Sequence, residues 1–123
     1  MTQNLRVLVV EDEFLTARSI CEDLKDLGVE PLQPVPKGEI AVKVALNEKP
    51  DLILMDIRLA DSMDGIEAAK EIHKISKIPI IFISGFATEC ILEKAKHIEY
   101  LEFFEKPVTI ELLEPIINQL KRK

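Results

Sequence analysis

Four short apolar runs of this sequence are each followed by side chains that could take part in chemistry. The runs and the polar residues after them are VLVV at 7–10 before Glu11, Asp12 and Glu13; LILM at 52–55 before Asp56; IIFI at 80–83 before Ser84; and YLEFF at 100–104 before Glu105 and Lys106. If the runs are parallel strands of one sheet, their carboxyl ends meet at one edge, where ligands of such sheets bind. The sequence therefore predicts a site that combines carboxylates, a hydroxyl and an amine.

This combination of side chains favours phosphoryl transfer. Carboxylates that share one crevice repel each other, so their pKa values rise unless a cation lies between them. Oxygen ligands without histidine or cysteine favour Mg²⁺ or Mn²⁺. With a divalent ion, a lysine and a hydroxyl around it, a carboxylate can attack phosphorus in line while the cations neutralise the transferred group. Asp56 is the candidate nucleophile because its strand is expected to be central.

Each of these residues also has an ordinary structural interpretation. Asp12 and Glu13 could complement the dipole at a helix N-terminus. Ser84 could cap a turn, and Lys106 could be a surface lysine. Four chemically matched groups at four successive strand ends nevertheless favour one shared site over four unrelated roles.

The elements that must position these residues can be predicted from the apolar pattern. Continuous apolar runs are typical of strands that are covered on both faces, as in a parallel sheet. Residues 29–35 contain Pro31 and Pro34, so a strand there must be short and lie at an edge. The intervening segments have helical periodicity, which predicts five β/α units with helices on both faces of the sheet, in one domain over residues 1–123.

Three helices have clear markers. The first has apolar residues at 17, 20, 21, 24 and 27 and ends at Gly28. The third begins after Asp64, which we predict to be its N-cap, and carries an apolar stripe from Ile66 to Ile75. In the last helix Pro115 must kink the helix or lie in its first turns.

The composition is that of an ordinary soluble domain. The chain has 123 residues, 47% hydrophobic and 31% charged, with a net charge of −6, which argues against binding of a nucleic acid backbone by this domain. The N-terminal apolar run is too short for a signal sequence or a membrane span. We therefore expect no membrane association and a cytoplasmic location.

Cys21 and Cys90 form no CxxC motif, and we expect both to be buried, free thiols.

Five motifs, VVEDE, PDLILMDIRL, DGIEAA, IIFISG and FEKPV, together resemble the receiver (CheY-like) domain of two-component response regulators, in order and over essentially the whole chain. The resemblance implies a flavodoxin-like (βα)5 doubly wound sheet with five parallel strands in the order 2-1-3-4-5. It implies that the domain takes a phosphoryl group from a sensor histidine kinase or a histidine phosphotransfer protein. Its own catalysis would be limited to weak self-phosphorylation and autodephosphorylation. The output, and a dimer that forms on phosphorylation, are left open.

The resemblance also assigns roles to individual residues. In the phosphorylation site, the resemblance assigns Asp56 as phosphoacceptor and metal ligand and Lys106 as partner of the phosphoryl group. Asp12 and Glu11 would be Mg²⁺ ligands, and the backbone carbonyl of Arg58 would be a further ligand. In the switch, Ser84 would bond a phosphoryl oxygen. Phe103 would turn inward and remodel the surface of the fourth helix, fifth strand and last helix. The bond before Pro107 is expected to be cis.

Three features depart from the family pattern. The loop from Asp56 to Gly65 is one residue longer and lacks the usual proline. Arg58 could pair with Glu11 or Asp61, or it could shield the acyl phosphate from water. Phe103 has no hydroxyl, so its burial needs no hydrogen-bond partner and we expect looser coupling between its position and its exposure.

Two other classes of protein fit less well. Aspartate-nucleophile phosphohydrolases usually carry a second acid two residues after the nucleophile, where this chain has Arg58. A flavin-binding module needs a Gly/Ser/Thr-rich phosphate loop after the first strand, where the sequence EDE would repel a phosphate. A receiver-like interaction module that is not controlled by phosphorylation remains an open alternative.

Overall fold

The fold is a five-stranded parallel sheet with helices on both faces. The computed structural model describes residues 4–59 and 63–122, and its strand order is β2-β1-β3-β4-β5. The elements in chain order are β1 (Arg6–Val10), α1 (Phe14–Asp26), β2 (Glu30–Pro31), α2 (Gly38–Glu48), β3 (Leu52–Asp56), α3 (Gly65–His73), β4 (Ile80–Ser84), α4 (Glu89–Ala95), β5 (Glu102–Glu105) and α5 (Ile110–Lys121). The predicted fold class and strand order are confirmed.

Two apolar layers cover the sheet. Helices α2, α3 and α4 pack on one face, where β3 contributes Ile53 and Met55. Helices α1 and α5 pack on the other, where β3 contributes Leu52 and Leu54. Because side chains alternate between the two faces of a strand, burial on both faces requires an uninterrupted apolar run. Strand β3 is accordingly buried at all five positions.

Strand β2 is short and lies at the edge, as its prolines predict. It pairs with β1 only through Glu30 and Pro31, and an isolated bridge joins Val35 to Val10 further along. Proline cannot donate a ladder hydrogen bond, which explains why the pairing is interrupted. The later bridge reaches the residue after β1, since the Glu11 amide donates to the Val35 carbonyl at 3.0 Å.

Helix α3 begins with a capping box. The Asp64 carboxylate accepts a hydrogen bond from the Glu67 amide at 2.8 Å, and the Glu67 carboxylate accepts one from the Asp64 amide at 3.1 Å. Two of the free N–H groups at the helix start are thereby satisfied. The predicted capping role of Asp64 is confirmed, whereas Asp61 lies outside the described residues.

Two predictions about burial are wrong. Helix α3 ends at His73, so Ile75 falls beyond it and is 74% exposed. Cys21 is buried as expected, but Cys90 is exposed. Cys90 lies in the first turn of α4, a short helix in which Ala95 is buried and Ile91 packs against the core. The apolar sequence around Cys90 therefore does not place its thiol on the buried side of α4.

Helix α5 is continuous from Ile110 to Lys121 and contains Pro115 in its interior. None of the helices in the described ranges is long and apolar enough to cross a membrane.

Candidate functional site

The candidate site lies at the carboxyl edge of the sheet. Asp56 is the last residue of β3, Ser84 is the last residue of β4, and Glu11 follows β1 directly. Within residues 4–59 and 63–122 these three are the buried polar side chains, with exposures of 2%, 5% and 4%. Burying a carboxylate is costly unless it is paired. The concentration of two buried acids and a buried hydroxyl at one edge of the sheet therefore indicates a functional site rather than ordinary surface residues.

Lys106 connects the two buried carboxylates. Its ammonium Nζ lies 2.9 Å from Oδ2 of Asp56 and 2.8 Å from Oε1 of Glu11. The lysine reaches the site because β5 ends one residue earlier, beside β4, and the Lys106 amide donates to the Ser84 carbonyl at 2.8 Å. Lys106 therefore offsets part of the cost of burying both acids.

Backbone amides hold the other oxygens of the two acids. The Arg58 amide donates to Oδ1 of Asp56 at 3.1 Å, and the Glu13 amide donates to Oε2 of Glu11 at 3.1 Å. Each carboxylate is thus held by one cation and one backbone donor, which fixes its orientation before any ligand binds.

The electrostatics favour an additional cation. Burial raises the pKa of Glu11; the bond from Lys106 opposes this shift, and the nearby Asp56 adds to it. Burial and the neighbouring Glu11 likewise raise the pKa of Asp12. Burial alone would lower the pKa of Lys106, but its bonds to Glu11 and Asp56 outweigh that effect and raise it. Negative charge in this crevice is therefore incompletely balanced by Lys106.

The acidic cluster fits Mg²⁺. Glu11, Asp12 and Asp56 each offer an oxygen atom, and these three atoms lie within 4.8 Å of one another. Hard oxygen donors that leave coordination positions for water are the usual ligands of this ion. Asp12 is exposed, so the cluster is open to solvent on one side. The Arg58 backbone, the fourth predicted ligand, is adjacent because its amide is bonded to Asp56.

The Ser84 hydroxyl is engaged in a local turn. It donates to the Phe86 carbonyl at 2.7 Å and accepts from the Phe86 amide at 3.2 Å. Ser84 thus lines the same cleft as Asp56, while its hydroxyl occupies the turn-capping role that was the ordinary alternative. The partner residue, Phe86, was not among the predicted site residues, and its 70% exposed ring lines the cleft above the site.

Phe103 lies on the same side of the sheet as the α4 layer. It is half-buried, and its ring centroid is 6.3 Å from that of Phe82 and 6.3 Å from that of Tyr100. It packs against the core. The peptide bond between Lys106 and Pro107 is cis.

Arg58 is exposed and lines the cleft. Among the described residues it forms no ion pair, so of the three roles open to it the pairing with Glu11 is not formed, and Glu11 is bonded to Lys106 instead. Pairing of Arg58 with Asp61 falls outside those residues. A cleft of about 480 Å³ opens above the site, and its polar lining includes Asp12, Asp56, Arg58, Asp64, Ser84 and Lys106.

Gly65 is a positioning residue that the sequence prediction did not single out. A Cβ atom at this position would lie 2.2 Å from the Asp56 carbonyl oxygen, so only glycine allows α3 to start this close to the end of β3. The sequence does contain a signal for it, since Gly65 directly follows the helix-capping Asp64 in the DG pair.

Comparison with known families agrees with this geometry. The family model described as "Response regulator receiver domain" matches residues 7–118. The chain belongs to the response regulator receiver domain family. The site is therefore the carboxyl-edge site of a receiver domain.

Two curated relatives illustrate the similarity. This receiver domain is 35% identical over 113 residues to the transcriptional regulatory protein PdtaR of Mycobacterium tuberculosis, covering 92% of the chain and 55% of that protein. It is 34% identical over 122 residues to a protein-glutamate methylesterase/protein-glutamine glutaminase of Archaeoglobus fulgidus, covering 97% of the chain and 35% of that protein. The chain thus spans about half or less of the length of these relatives.

Two solved structures have the same fold at substantial identity. The signal receiver domain of a modulated diguanylate cyclase from Desulfovibrio desulfuricans G20 matches with a TM-score of 0.89 and 32% identity, covering 98% of this chain and 95% of that one. The receiver domain of the sensor histidine kinase PA1611 from Pseudomonas aeruginosa matches with a TM-score of 0.86 and 27% identity, covering 98% and 100%. The latter structure has a magnesium ion coordinated in its active-site cleft.

Proposed function

We propose that this receiver domain accepts a phosphoryl group on Asp56 from the phosphohistidine of a sensor histidine kinase or a histidine phosphotransfer protein. The observation that carries the proposal is the position of Asp56. Its carboxylate is buried at the end of the central strand β3, is bonded to Lys106 at 2.9 Å, and borders the open cleft. A carboxylate held in this way is positioned for in-line attack from a fixed direction.

The transfer exchanges one bond to phosphorus for another. A carboxylate oxygen of Asp56 forms the new O–P bond, the P–N bond to the donor histidine breaks, and its electron pair returns to the imidazole, which takes up a proton from solvent. Lys106 would pair with a phosphoryl oxygen in the product. Glu11, Asp12, Asp56 and the Arg58 carbonyl would hold Mg²⁺, which when bound neutralises charge on the phosphoryl oxygens.

The switch follows from the hydrogen bonds of Ser84. To donate to a phosphoryl oxygen, the Ser84 hydroxyl must give up its 2.7 Å bond to the Phe86 carbonyl, because a hydroxyl has only one proton to donate. The loop between β4 and α4 would then rearrange, and Phe103 would move inward beneath it. The surface formed by α4, β5 and α5 would change shape for an output partner, or for a second copy that binds after phosphorylation.

Phosphorylation by acetyl phosphate tests the proposal. With Mg²⁺ present, intact-mass spectrometry should show the addition of one phosphoryl group, and Asp56→Asn should abolish it. Asp51→Asn is a matched control, because Asp51 directly precedes the opposite end of the same strand, where its carboxylate accepts from the Arg6 amide at 2.8 Å. If Asp56→Asn takes up phosphate as readily as the wild type and the control, Asp56 is not the acceptor.

A further inference from the structure

The segment between β2 and α2 is bonded through its backbone to Glu11 of the site. The Val35 amide donates to the Val9 carbonyl at 3.1 Å, and the Val35 carbonyl accepts from the Glu11 amide at 3.0 Å. Three residues later Gly38, which is buried, begins α2. The start of α2 is therefore tied through the backbone to the first acid of the site.

Gly38 makes an unusually close contact with the loop between β3 and α3. A Cβ atom at residue 38 would lie 2.6 Å from the carbonyl oxygen of Met63, 3.0 Å from its Cγ and 3.2 Å from its Cβ. The shortest of these separations is to a backbone atom, which cannot move aside by rotating a side chain. Only glycine at position 38 allows Met63 to lie where it does.

The end of this loop that leads into α3 is also held closely, by the end of β3. The Gly65 amide donates to the Ile57 carbonyl at 2.8 Å, and a Cβ at residue 65 would lie 2.2 Å from the Asp56 carbonyl oxygen. Met63 is two residues before Gly65, so the returning end of the loop is held between the start of α2 and the end of β3. Helices α2 and α3 pack side by side in the same layer.

We infer that Gly38 is a positioning residue for the phosphorylation site, acting through Met63 and Gly65 on the residues that follow Asp56. One of these is Arg58, whose amide holds Oδ1 of Asp56 at 3.1 Å and whose carbonyl is the expected fourth metal ligand. A side chain at residue 38 would push Met63 away from α2, and with it Gly65, whose amide is bonded to the Ile57 carbonyl at 2.8 Å. The expected effects on Mg²⁺ binding and phosphorylation rest on the proposed function, whereas the contact between Gly38 and Met63 does not.

Gly38→Ala tests the inference by three measurements on the intact domain. Without metal, amide exchange followed by NMR should show faster exchange at Gly65 and Arg58, by about tenfold or more. Mg²⁺ binding measured by calorimetry should weaken severalfold. Phosphorylation by acetyl phosphate should slow by about 10-fold to 100-fold, the range expected when a reacting group is misplaced by up to an ångström.

The matched control is Ile72→Val. Ile72 is fully buried in the same layer but lies near the far end of α3, about 10 Å along the helix from Gly65. This variant should lower the midpoint of unfolding without changing Mg²⁺ affinity or the phosphorylation rate. A general loss of stability is thereby separated from displacement of the loop. Adding Met63→Ala to Gly38→Ala removes the contact to Cγ and should recover part of the lost affinity.

The outcomes separate this inference from the proposed function. If Gly38→Ala matches the wild type in Gly65 exchange, Mg²⁺ affinity and phosphorylation rate, the inference is wrong while the proposed function stands. If the wild type takes no phosphate on Asp56, the proposed function fails, and Gly65 exchange still tests the contact. Should Gly38→Ala fail to fold, Met63→Gly removes the Cβ and Cγ atoms that lie beside Gly38 and should also speed exchange at Gly65 and weaken Mg²⁺ binding. Wild-type exchange and affinity in that variant would overturn the inference.

Discussion

The ammonium of Lys106 lies 2.9 Å from the carboxylate of Asp56, a residue fifty positions earlier in the chain, and 2.8 Å from that of Glu11. One cation is thus shared by two acids that are each at least 95% buried. This arrangement holds the site together before any metal or phosphoryl group binds. It also makes Lys106 the residue on which the stability of the metal-free protein depends most directly at this edge of the sheet.

Replacing Lys106 with methionine should therefore destabilise the metal-free domain. Glu11 and Asp56 would remain buried without their cation, and we expect the free energy of unfolding in urea to fall by about 1–3 kcal/mol, less than for a fully buried pair because Lys106 is partly exposed. Added Mg²⁺ should restore more stability to the variant than to the wild type. Lys96→Met, which breaks only the exposed pair with Glu93, should change stability by less than about 0.5 kcal/mol. Equal stability of Lys106→Met and the wild type without metal would contradict the prediction.

Ser84→Ala should separate phosphorylation from switching. The variant retains Asp56 and Lys106, so it should still take up a phosphoryl group, within about tenfold of the wild-type rate. It lacks the hydroxyl that would leave the Phe86 carbonyl for the phosphoryl oxygen, so the NMR signals of Phe103 should change little on phosphorylation. Ser84→Thr keeps the hydroxyl and should preserve the change. Full movement of Phe103 in Ser84→Ala would show that the switch does not pass through this hydroxyl.

Arg58→Ala tests whether the exposed arginine protects the acyl phosphate. Because Arg58 lines the cleft and makes no ion pair with any described residue, its side chain is available to cover the phosphorylated aspartate. We expect removal of the side chain to shorten the half-life of the phosphorylated protein by about threefold by admitting water, measured by mass spectrometry after excess acetyl phosphate is removed. Arg58→Lys, which keeps a long cationic side chain, should have a smaller effect. An unchanged or longer half-life in Arg58→Ala would refute the shielding role.

Lys49→Gly should stabilise the domain. Lys49 ends α2 with φ 50° and ψ 62°, a left-handed conformation that is costly for residues with a Cβ atom. Glycine removes that cost, offset in part by the greater freedom of the unfolded chain, so we expect a gain of about 0.5 kcal/mol in urea unfolding. Lys49→Ala keeps the Cβ atom and should give no comparable gain. A loss of stability in Lys49→Gly would show that the Lys49 side chain contributes more than its backbone conformation costs.

The two thiols should react at very different rates. Cys90 is exposed, whereas Cys21 is buried, and burial raises the pKa of its thiol. At pH 8 iodoacetamide should modify Cys90 quickly and Cys21 slowly, because the thiolate is the reactive form; Cys90→Ser should remove the fast phase. Rapid double labelling of the folded wild type would contradict this.

The same shift sets a pH dependence of stability. The folded state keeps the Cys21 proton at pH values where the unfolded chain has released it. This contribution to stability is therefore complete below about pH 8.5 and is lost as the pH rises through the raised pKa of the folded state. Unfolding curves between pH 8 and pH 10 should show a smaller decline for Cys21→Ala than for the wild type.

The apolar pattern predicted the sheet and the residues at its carboxyl edge, but the run at 100–104 is not a fully covered strand, since β5 is Glu102–Glu105 and its residues are half-buried or exposed. Uninterrupted runs such as the one ending at Asp56 are typical of a strand covered on both faces, and the shared direction of parallel strands places all of their carboxyl ends on one side. Pro31 and Pro34 predict a short edge strand for an equally local reason, the missing N–H donor. These features depend on each residue's own chemistry and on the spacing of its neighbours in the chain.

The contacts between remote segments were decided only by the tertiary structure. Lys106 pairs with Glu11 as well as Asp56, and Gly38 lies against Met63. Each depends on the register of the strands and on how closely two loops or helices approach, to within a few tenths of an ångström. Periodicity in the sequence indicates which face of an element is buried, but it does not indicate which atoms from a distant segment will meet that face.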